Sequence, residues 1–390
     1  MQDIFLSTVA GFLITYFSIP SIIKVAQLKG LYDEPNKRAA HSSKIPTLGG
    51  LAMFAGIILP VLFFGSEFTS NVKNFLFGSI IVLFFLGIKD DILILSPIKK
   101  FIGQLIVAII MVVIADVRIT SFYGLLGIHQ LPYLVSIAIS IFTILAVTNA
   151  YNLIDGIDGL AGGIGVIATG IFGFWFLMFD NQFLSLLSFT AAASLLAFLF
   201  FNFNPARIFM GDTGSMIVGF LLSFLAIQLI GTHSAPGSPE YLLDAKPAIA
   251  LAILIIPIFD TLRVIIVRMI KRKSVFRPDK NHIHHRLVNF GLSHKQVCTV
   301  LYCANIFAIA IAFSMTGLGV NLIMFILLSL GILSALGIYF YSNIKSSQEE
   351  IVPAHTLKVK PTVIALPMVQ NGDRKKSGKE GKKNQYKVAQ

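Results

Sequence analysis

An all-α membrane protein of about eleven spanning helices is predicted by three observations. The 390 residues are 55% hydrophobic and 13% charged, with a mean hydropathy of +0.80, whereas a soluble domain is roughly 45–50% apolar and about 25% charged. Apolar runs long enough to cross a bilayer, which takes about 20 residues per helix, fill almost everything from Leu6 to Tyr341. The cations, finally, are divided unevenly between alternate loops. Soluble function classes are thereby excluded.

The runs centre near Leu13, Gly56, Val82, Ala108, Ile141, Ile171, Leu195, Leu222, Ile258, Ile309 and Leu330. With eleven spans, one set of loops carries only Lys73, Arg118 and Lys246. The other holds Lys29, Lys37, Arg38, Lys44, Lys89, Lys99, Lys100, Arg207, Lys271, Arg272, Lys273, Arg277, Lys280, Arg286 and Lys295. The positive-inside rule then predicts an N-terminus outside, a cytoplasmic C-terminus, and cytoplasmic loops near 28–46, 89–100, 149–160, 202–213 and 271–295. The first run lacks a basic leader and has no small-residue cleavage site before Lys24, so it reads as a retained span. Residues 1–344 thus form one membrane domain. Residues 345–390 carry a surplus of six cations, half of the net +12, and their low hydrophobicity predicts a disordered basic tail. Attraction to anionic lipid, at about 1 kcal/mol per cation, accounts for it, and no nucleic-acid partner is expected.

Apolar residues mixed with cations between Ser274 and Lys295 predict an interfacial amphipathic helix or hairpin. Cys298 and Cys303, five apart on one predicted span, do not share a helical face, so no disulfide is expected. The spans do not divide into two similar halves, which lowers a transporter reading.

Four polar clusters sit where apolar runs stop, and ionisable groups at a membrane's edge are functional candidates by default. Asp90 and Asp91 end the third run; alone, they read as a solvated pair balanced by Lys89, Lys99 and Lys100, or as one ligand-binding and one structural carboxylate, since adjacent helical residues point about 100° apart. In the segment from Asn149 to Gly163, Asn152, Asp155 and Asp158 recur every three residues and share a face if the segment is a helical turn. Their oxygens suit a hard ion such as Mg2+, which takes one or two protein oxygens plus substrate phosphate. Asp212, in Met210-Gly-Asp-Thr-Gly214, opens the eighth span either as a plain N-cap or as a holder of a phosphate's metal at a helix N-terminus. Upstream, Asn202, Arg207 and Phe209 offer an amide, a guanidinium and a ring, suited to the base and diphosphate of a nucleotide. His282, His284, His285 and Arg286 lack a companion Cys or acid at zinc spacing and read as donors to a diphosphate or sugar. Asp260 and Arg263, spaced i, i+3, read as a structural ion pair.

At these residues the chain resembles the polyprenyl-phosphate N-acetylhexosamine-1-phosphate transferases, over roughly residues 1 to 340. Asp90-Asp91 before a Pro-Lys-Lys loop, Asn-Ala-Tyr-Asn-Leu-Ile-Asp-Gly-Ile-Asp-Gly from Asn149, Phe209-Met-Gly-Asp212 and Asn281-His-Ile-His-His-Arg286 occur in the family's order. His-Ile-His-His looks like the WecA and TagO branch rather than the MraY branch, which has three consecutive His. The resemblance implies transfer of a sugar-1-phosphate, most simply from UDP-GlcNAc, to undecaprenyl phosphate with release of UMP, at the start of lipid-linked envelope glycan synthesis. It implies Mg2+, with Mn2+ as a substitute, at Asp212 and Asn152. Asp90 and Asp91 are implied near the lipid phosphate, with Asp155 and Asp158 as further catalytic-site acids. Asn149, Asn202, Arg207, Phe209 and the His cluster are implied to bind substrate. The cytoplasmic membrane of a bacterium is the implied location, and a homodimer is compatible with it.

The expected chemistry is direct attack by the lipid phosphate on the β-phosphorus of the donor. The competing route forms a covalent intermediate on Asp90 or Asp91. Another UDP-sugar, such as UDP-MurNAc-pentapeptide, keeps the chemistry and changes the substrate, and a nucleotide-sugar or anion transporter would use the same residues only to bind.

Overall fold

The computed structural model describes residues 1–32, 45–65, 71–93, 95–234, 240–272 and 281–351. Lys37, Arg38, Lys44, Lys273, Arg277, Lys280 and the tail beyond 351 lie outside the described residues. The chain divides into Met1–Ser342 and Asn343–Gln390.

Thirteen α-helices are described. They are α1 (Gln2–Lys29), α2 (Gly49–Phe64), α3 (Asn71–Leu93), α4 (Pro97–Ile109), α5 (Tyr133–Ile154), α6 (Leu160–Met178) and α7 (Gln182–Asn202), then α8 (Gly211–Ile230), α9 (Lys246–Ile253), α10 (Ile255–Ile270), α11 (Ile283–Asn289), α12 (His294–Ser314) and α13 (Val320–Ile351). Among the described residues, eight segments are long and apolar enough to cross a membrane, and α9 with α10, bent by 67°, make a ninth if the pair is one span. The protein is a polytopic α-helical membrane protein. The two remaining expected spans fall on α2, an apolar helix of 16 residues, and on α3.

Local chemistry marks several helix ends. Pro97 starts α4, where its missing N–H costs nothing. Gly30 ends α1 in the left-handed conformation at φ 70°. Ser293 and Gln296 form a capping box at α12. An antiparallel ribbon, β1 (Ser121–Leu125) with β2 (Ile128–Gln130), joins α4 to α5, and no strand was expected there. The Ser121 hydroxyl donates to the His129 carbonyl at 2.7 Å, and Asn321 of α13 bonds both Leu126 and Gly124.

Burial is graded from centre to edge. Within the most apolar stretch of each helix, 94% of α8 is buried, against 67% for α6 and α7, 22% for α1 and 17% for α13. Helix pairs approach closely through small hydroxyl residues: Ser7 bonds Thr190 at 2.6 Å and Thr15 bonds Ser194 at 2.7 Å, locking α1 to α7. The expected helix in the polar stretch after residue 273 is the short α11, and Cys298 and Cys303 are both free.

Candidate active site

The N-terminus of the buried α8 is the foundation of the site. Gly211 enters it at φ 71°, and a Cβ there would strike the Thr47 carbonyl and lie 2.8 Å from Asp91 Oδ2. The backbone amides of the first turn need acceptors, and α3 supplies them. Asp91 Oδ1 accepts the Asp212 N–H at 2.7 Å; Oδ2 accepts the Thr213 N–H at 3.1 Å and the Thr213 hydroxyl at 2.5 Å. A carboxylate at a helix N-terminus is stabilised by the dipole as well. The cap of α8 is therefore Asp91 from another helix, not Asp212, as the plain N-cap reading had it.

Relieved of capping, the Asp212 side chain turns to its neighbours. Oδ1 accepts the Asn152 amide at 2.6 Å, and the same amide donates to Ser215 Oγ at 2.7 Å. Oδ2 meets Lys100 Nζ at 3.0 Å. Lys100 also pairs with Asp90, whose Oδ1 accepts the Leu95 N–H at 2.6 Å. Asp90 and Asp91 thus divide as their angular separation predicts, one toward Lys100 and one onto the helix end.

Helix α5 stops at Ile154, so Asn152, Asp155 and Asp158 do not share a single helical face. Burial, reinforced by the charges of Asp212, Asp91 and Asp158, pushes the Asp155 carboxyl up to about 7. Asp158 instead braces the connection between α7 and α8. Its Oδ2 accepts the Asn204 amide at 2.9 Å and the Ala206 N–H at 3.2 Å, with His294 Nδ1 at 3.7 Å. Burial opposes ionisation there, but the bonds from His294, Asn204 and Ala206 outweigh it and hold the group below the usual carboxylate range.

The shift at Asp155 has a measurable consequence. A carboxyl whose folded value lies near 7 against an ordinary 3.8 favours the folded state fully below the lower value, and that contribution is lost as pH rises through the higher one. In chelator-treated protein, the melting temperature is expected to fall between about pH 4 and about pH 7 and to level off above, with a shallower slope in Asp155→Asn. Equal slopes would show that Asp155 does not titrate in this window.

The loop after Asp155 meets the histidine segment. A Cβ on Gly156 would run into His284 Nε2, so the glycine permits the contact. His284 is 1% exposed, and its Nε2 is buried with no hydrogen-bond partner. Burial pushes its ring down to about 3, more than the Asp260 carboxylate raises it, so it stays neutral at physiological pH. The His282 and His284 rings stack 5.7 Å apart, and His285 packs on His284 at 4.3 Å. Asp260 of α10 accepts from His282 Nδ1 at 2.9 Å and from the Ile283 N–H at 2.8 Å. The expected pair with Arg263 is present at 3.4 Å, but the shorter bonds tie Asp260 to the histidine segment.

The residues expected to hold a nucleotide are placed differently from one another. Asn202 is buried and spans two loops, accepting the Gly159 N–H at 2.9 Å and donating to the Ile208 carbonyl at 2.9 Å. Arg207 is exposed, its guanidinium 4.6 Å from the centre of the Phe201 ring. The Phe209 N–H donates to the Pro46 carbonyl at 2.7 Å. Asn149, one turn before Asn152, donates to Gln104 Oε1 at 2.8 Å.

Residues 73–230, from α3 to the end of α8, match the family model described as Glycosyl transferase family 4. A probable undecaprenyl-phosphate N-acetylglucosaminyl 1-phosphate transferase of Bacillus subtilis (strain 168) is 37% identical over 299 residues, 74% of this chain and 79% of that protein. The chain belongs to glycosyl transferase family 4. A decaprenyl-phosphate N-acetylglucosaminephosphotransferase of Mycobacterium tuberculosis (strain ATCC 25618 / H37Rv) is 31% identical, covering 77% of this chain and 80% of that protein. An undecaprenyl-phosphate alpha-N-acetylglucosaminyl 1-phosphate transferase of Salmonella typhi is 31% identical, covering 75% and 78%.

In this family 4 chain the matched stretch contains the whole acidic half of the site, from Asp90 to Asp212, while the histidine segment and Asp260 lie beyond it. Two members of the constellation were not singled out from sequence. Lys100 was expected only as a balancing cation; the signal for its bridge between Asp90 and Asp212 is Pro97, which starts a new helix and sets Lys100 one turn inside it. Ser215 is one turn beyond Gly211, whose carbonyl its hydroxyl bonds at 3.0 Å, and only the Asn152 contact distinguishes it from an ordinary helical serine.

Proposed function

We propose that the chain transfers N-acetylglucosamine-1-phosphate from UDP-GlcNAc to undecaprenyl phosphate, releasing UMP, with the Asp90, Lys100, Asn152, Asp155 and Asp212 cluster as its reaction centre. Relatives named for N-acetylglucosaminyl 1-phosphate transfer to a polyprenyl phosphate, at 28–37% identity, carry the reading. The chain is an enzyme of the phosphotransferase type and lies in a membrane. Eleven spans with the N-terminus outside and the site in the cytoplasm, at a bacterial inner membrane, complete the proposal, supported by the cation distribution.

The donor set suits Mg2+. Asp90 and Asp212 offer oxygens around one lysine, with the charges of Asp212 and Asp91 felt at Asp155, a local excess of negative charge, and among the described residues no trio of His, Cys, Asp or Glu forms a ready protein cage for a metal. Mg2+ needs only one or two protein oxygens and keeps the rest for water and phosphate. Asp212 and the carbonyl oxygen of Asn152 would hold it, with Mn2+ as a substitute, and bound there it would neutralise the donor's diphosphate. The lipid phosphate, ionised at neutral pH with a second pKa near ~6, attacks the β-phosphorus. One oxygen–phosphorus bond forms, the bond to the α-phosphate breaks, and UMP leaves with its electron pair. Arg286 and the histidine segment spread the charge on the diphosphate, and Lys100 is positioned to transfer its contact from Asp212 to a phosphate. All described bonds of the Asp91 carboxylate go to the first turn of α8, which favours direct attack over a covalent intermediate on that residue.

The test is UMP release and labelled-lipid formation by detergent-purified protein given UDP-GlcNAc, undecaprenyl phosphate and Mg2+. Product dependent on all three supports the reading, and a different productive UDP-sugar changes the substrate alone. Counterflow across vesicles without UMP release would replace transfer with transport. Separately, Mg2+ is expected to raise the melting temperature of the wild type and leave Asp212→Asn unmoved, which tests the metal site without turnover.

A further inference from the structure

We propose that Asp260 is the positioning residue through which His282 donates a hydrogen bond to the donor's diphosphate; this rests on the transferase reading above. Asp260 is 2% exposed on α10. Its Oδ2 meets His282 Nδ1 at 2.9 Å; its Oδ1 accepts the Ile283 N–H at 2.8 Å and faces Arg263 Nη2 at 3.4 Å. Arg263 in turn donates to the Asn281 carbonyl. Ring, amide and carbonyl of residues 281–283 are thus gripped from one helix.

A buried ionised carboxylate persists only where donors satisfy its lone pairs, so Nδ1 of His282 carries its proton toward Asp260. The other end of the ring, Nε2, has no hydrogen-bond partner among the described residues, and it is the end left for a ligand. With Nδ1–H given to Asp260, Nε2 donates only when the ring carries both protons; the carboxylate then fixes the ring plane and balances the charge of that imidazolium. As the bond from the β-phosphorus to the α-phosphate breaks, negative charge gathers on the UMP oxygen, and an Nε2–H aimed there stabilises it with no net proton transfer.

The other two histidines are unlike it. His284 Nδ1 is 3.9 Å from Asp260, too far for a hydrogen bond, and its Nε2 is buried against Gly156. His285 packs on the His284 ring. Among the described residues, the charged and titratable groups against His282 are Asp260 of α10, itself paired with Arg263, and His284 from its own segment. The geometry therefore distinguishes His282 within a motif whose three histidines are indistinguishable in sequence.

The test is a double-mutant cycle on purified protein, with kcat, KM for UDP-GlcNAc and melting temperature measured for wild type, Asp260→Asn, His282→Gln and the double variant. Each single change is expected to lower kcat by about 10–100-fold with KM within about twofold of wild type, and the double variant is expected to be no slower than His282→Gln. Losses that multiply in the double variant would overturn the proposal, because Asp260 would then act on the fold of α11 independently of His282. Where Asp260→Asn melts below the assay temperature, Asp260→Glu, which keeps the charge and an acceptor, takes its place in the same cycle under the same criterion. A wild type that releases no UMP from any UDP-sugar overturns the transferase reading and this proposal together, whereas an active wild type with multiplying losses overturns this one alone.

Discussion

Asp212→Asn is expected to reduce turnover by on the order of 10³-fold while the protein still purifies as a folded membrane protein. The side chain takes no part in closing the end of α8; its oxygens point to Lys100 and Asn152. Removing its charge leaves Lys100 paired with Asp90 and the helix end closed by Asp91. On the proposed reading the substitution takes away metal-binding and phosphate-organising capacity with little structural cost. A melting temperature within a few degrees of wild type, with product formation at background, is the expected pair of results. A variant that turns over within tenfold of wild type would remove Asp212 from the reaction centre.

The adjacent carboxylates are expected to separate cleanly when each is replaced by alanine. Asp91→Ala leaves two backbone N–H groups and the Thr213 hydroxyl without their acceptor, each costing about 1–3 kcal/mol when buried. A loss of about 3 kcal/mol or more follows, on the order of 10 °C in melting temperature, and activity falls because Asp212 sits on the turn that loosens. Asp90→Ala leaves Lys100 paired with Asp212 alone and removes the acceptor of Leu95, and is expected to lower activity by about 100-fold with a smaller loss of stability. Melting curves of the two variants check the contrast; a stable Asp91→Ala protein would show that α8 is capped by something else.

How much of this was legible in the chain depends on whether the deciding contact is local. Composition and apolar runs place the helices, and the polar clusters at their ends mark the residues that meet. What the sequence does not carry is which end each carboxylate faces. Asp91 caps α8 only because α2 and α3 press on its first turn: a Cβ on Gly50 would strike the Gly214 backbone, and one on Gly87 the Thr213 backbone. Those glycines read as ordinary small residues in apolar runs. The face expected for Asn152, Asp155 and Asp158 fails because α5 ends between the first two, a boundary that a three-residue spacing cannot reveal. Asp260 and Arg263 were recognised as a pair, but 22 residues separate Asp260 from His282, and only folding joins them. The ribbon at Ser121–Gln130 did leave a signal, in Gly124 and Gly127 at φ 84° and 76° flanking its turn, within a segment otherwise apolar enough to pass for helix flank.

The encirclement of α8 bears on how the enzyme responds to its membrane. A helix that touches only protein does not register bilayer thickness; hydrophobic mismatch is taken up by the helices that meet lipid, through tilt and through thinning or thickening of the lipid beside them. Here α1 and α13 are the least buried of the long apolar helices, whereas α8 is almost wholly enclosed. A change of acyl-chain length is therefore borne at the rim, and the depth of Asp212 relative to Asp91 is set by packing between helices rather than by the lipids of the moment.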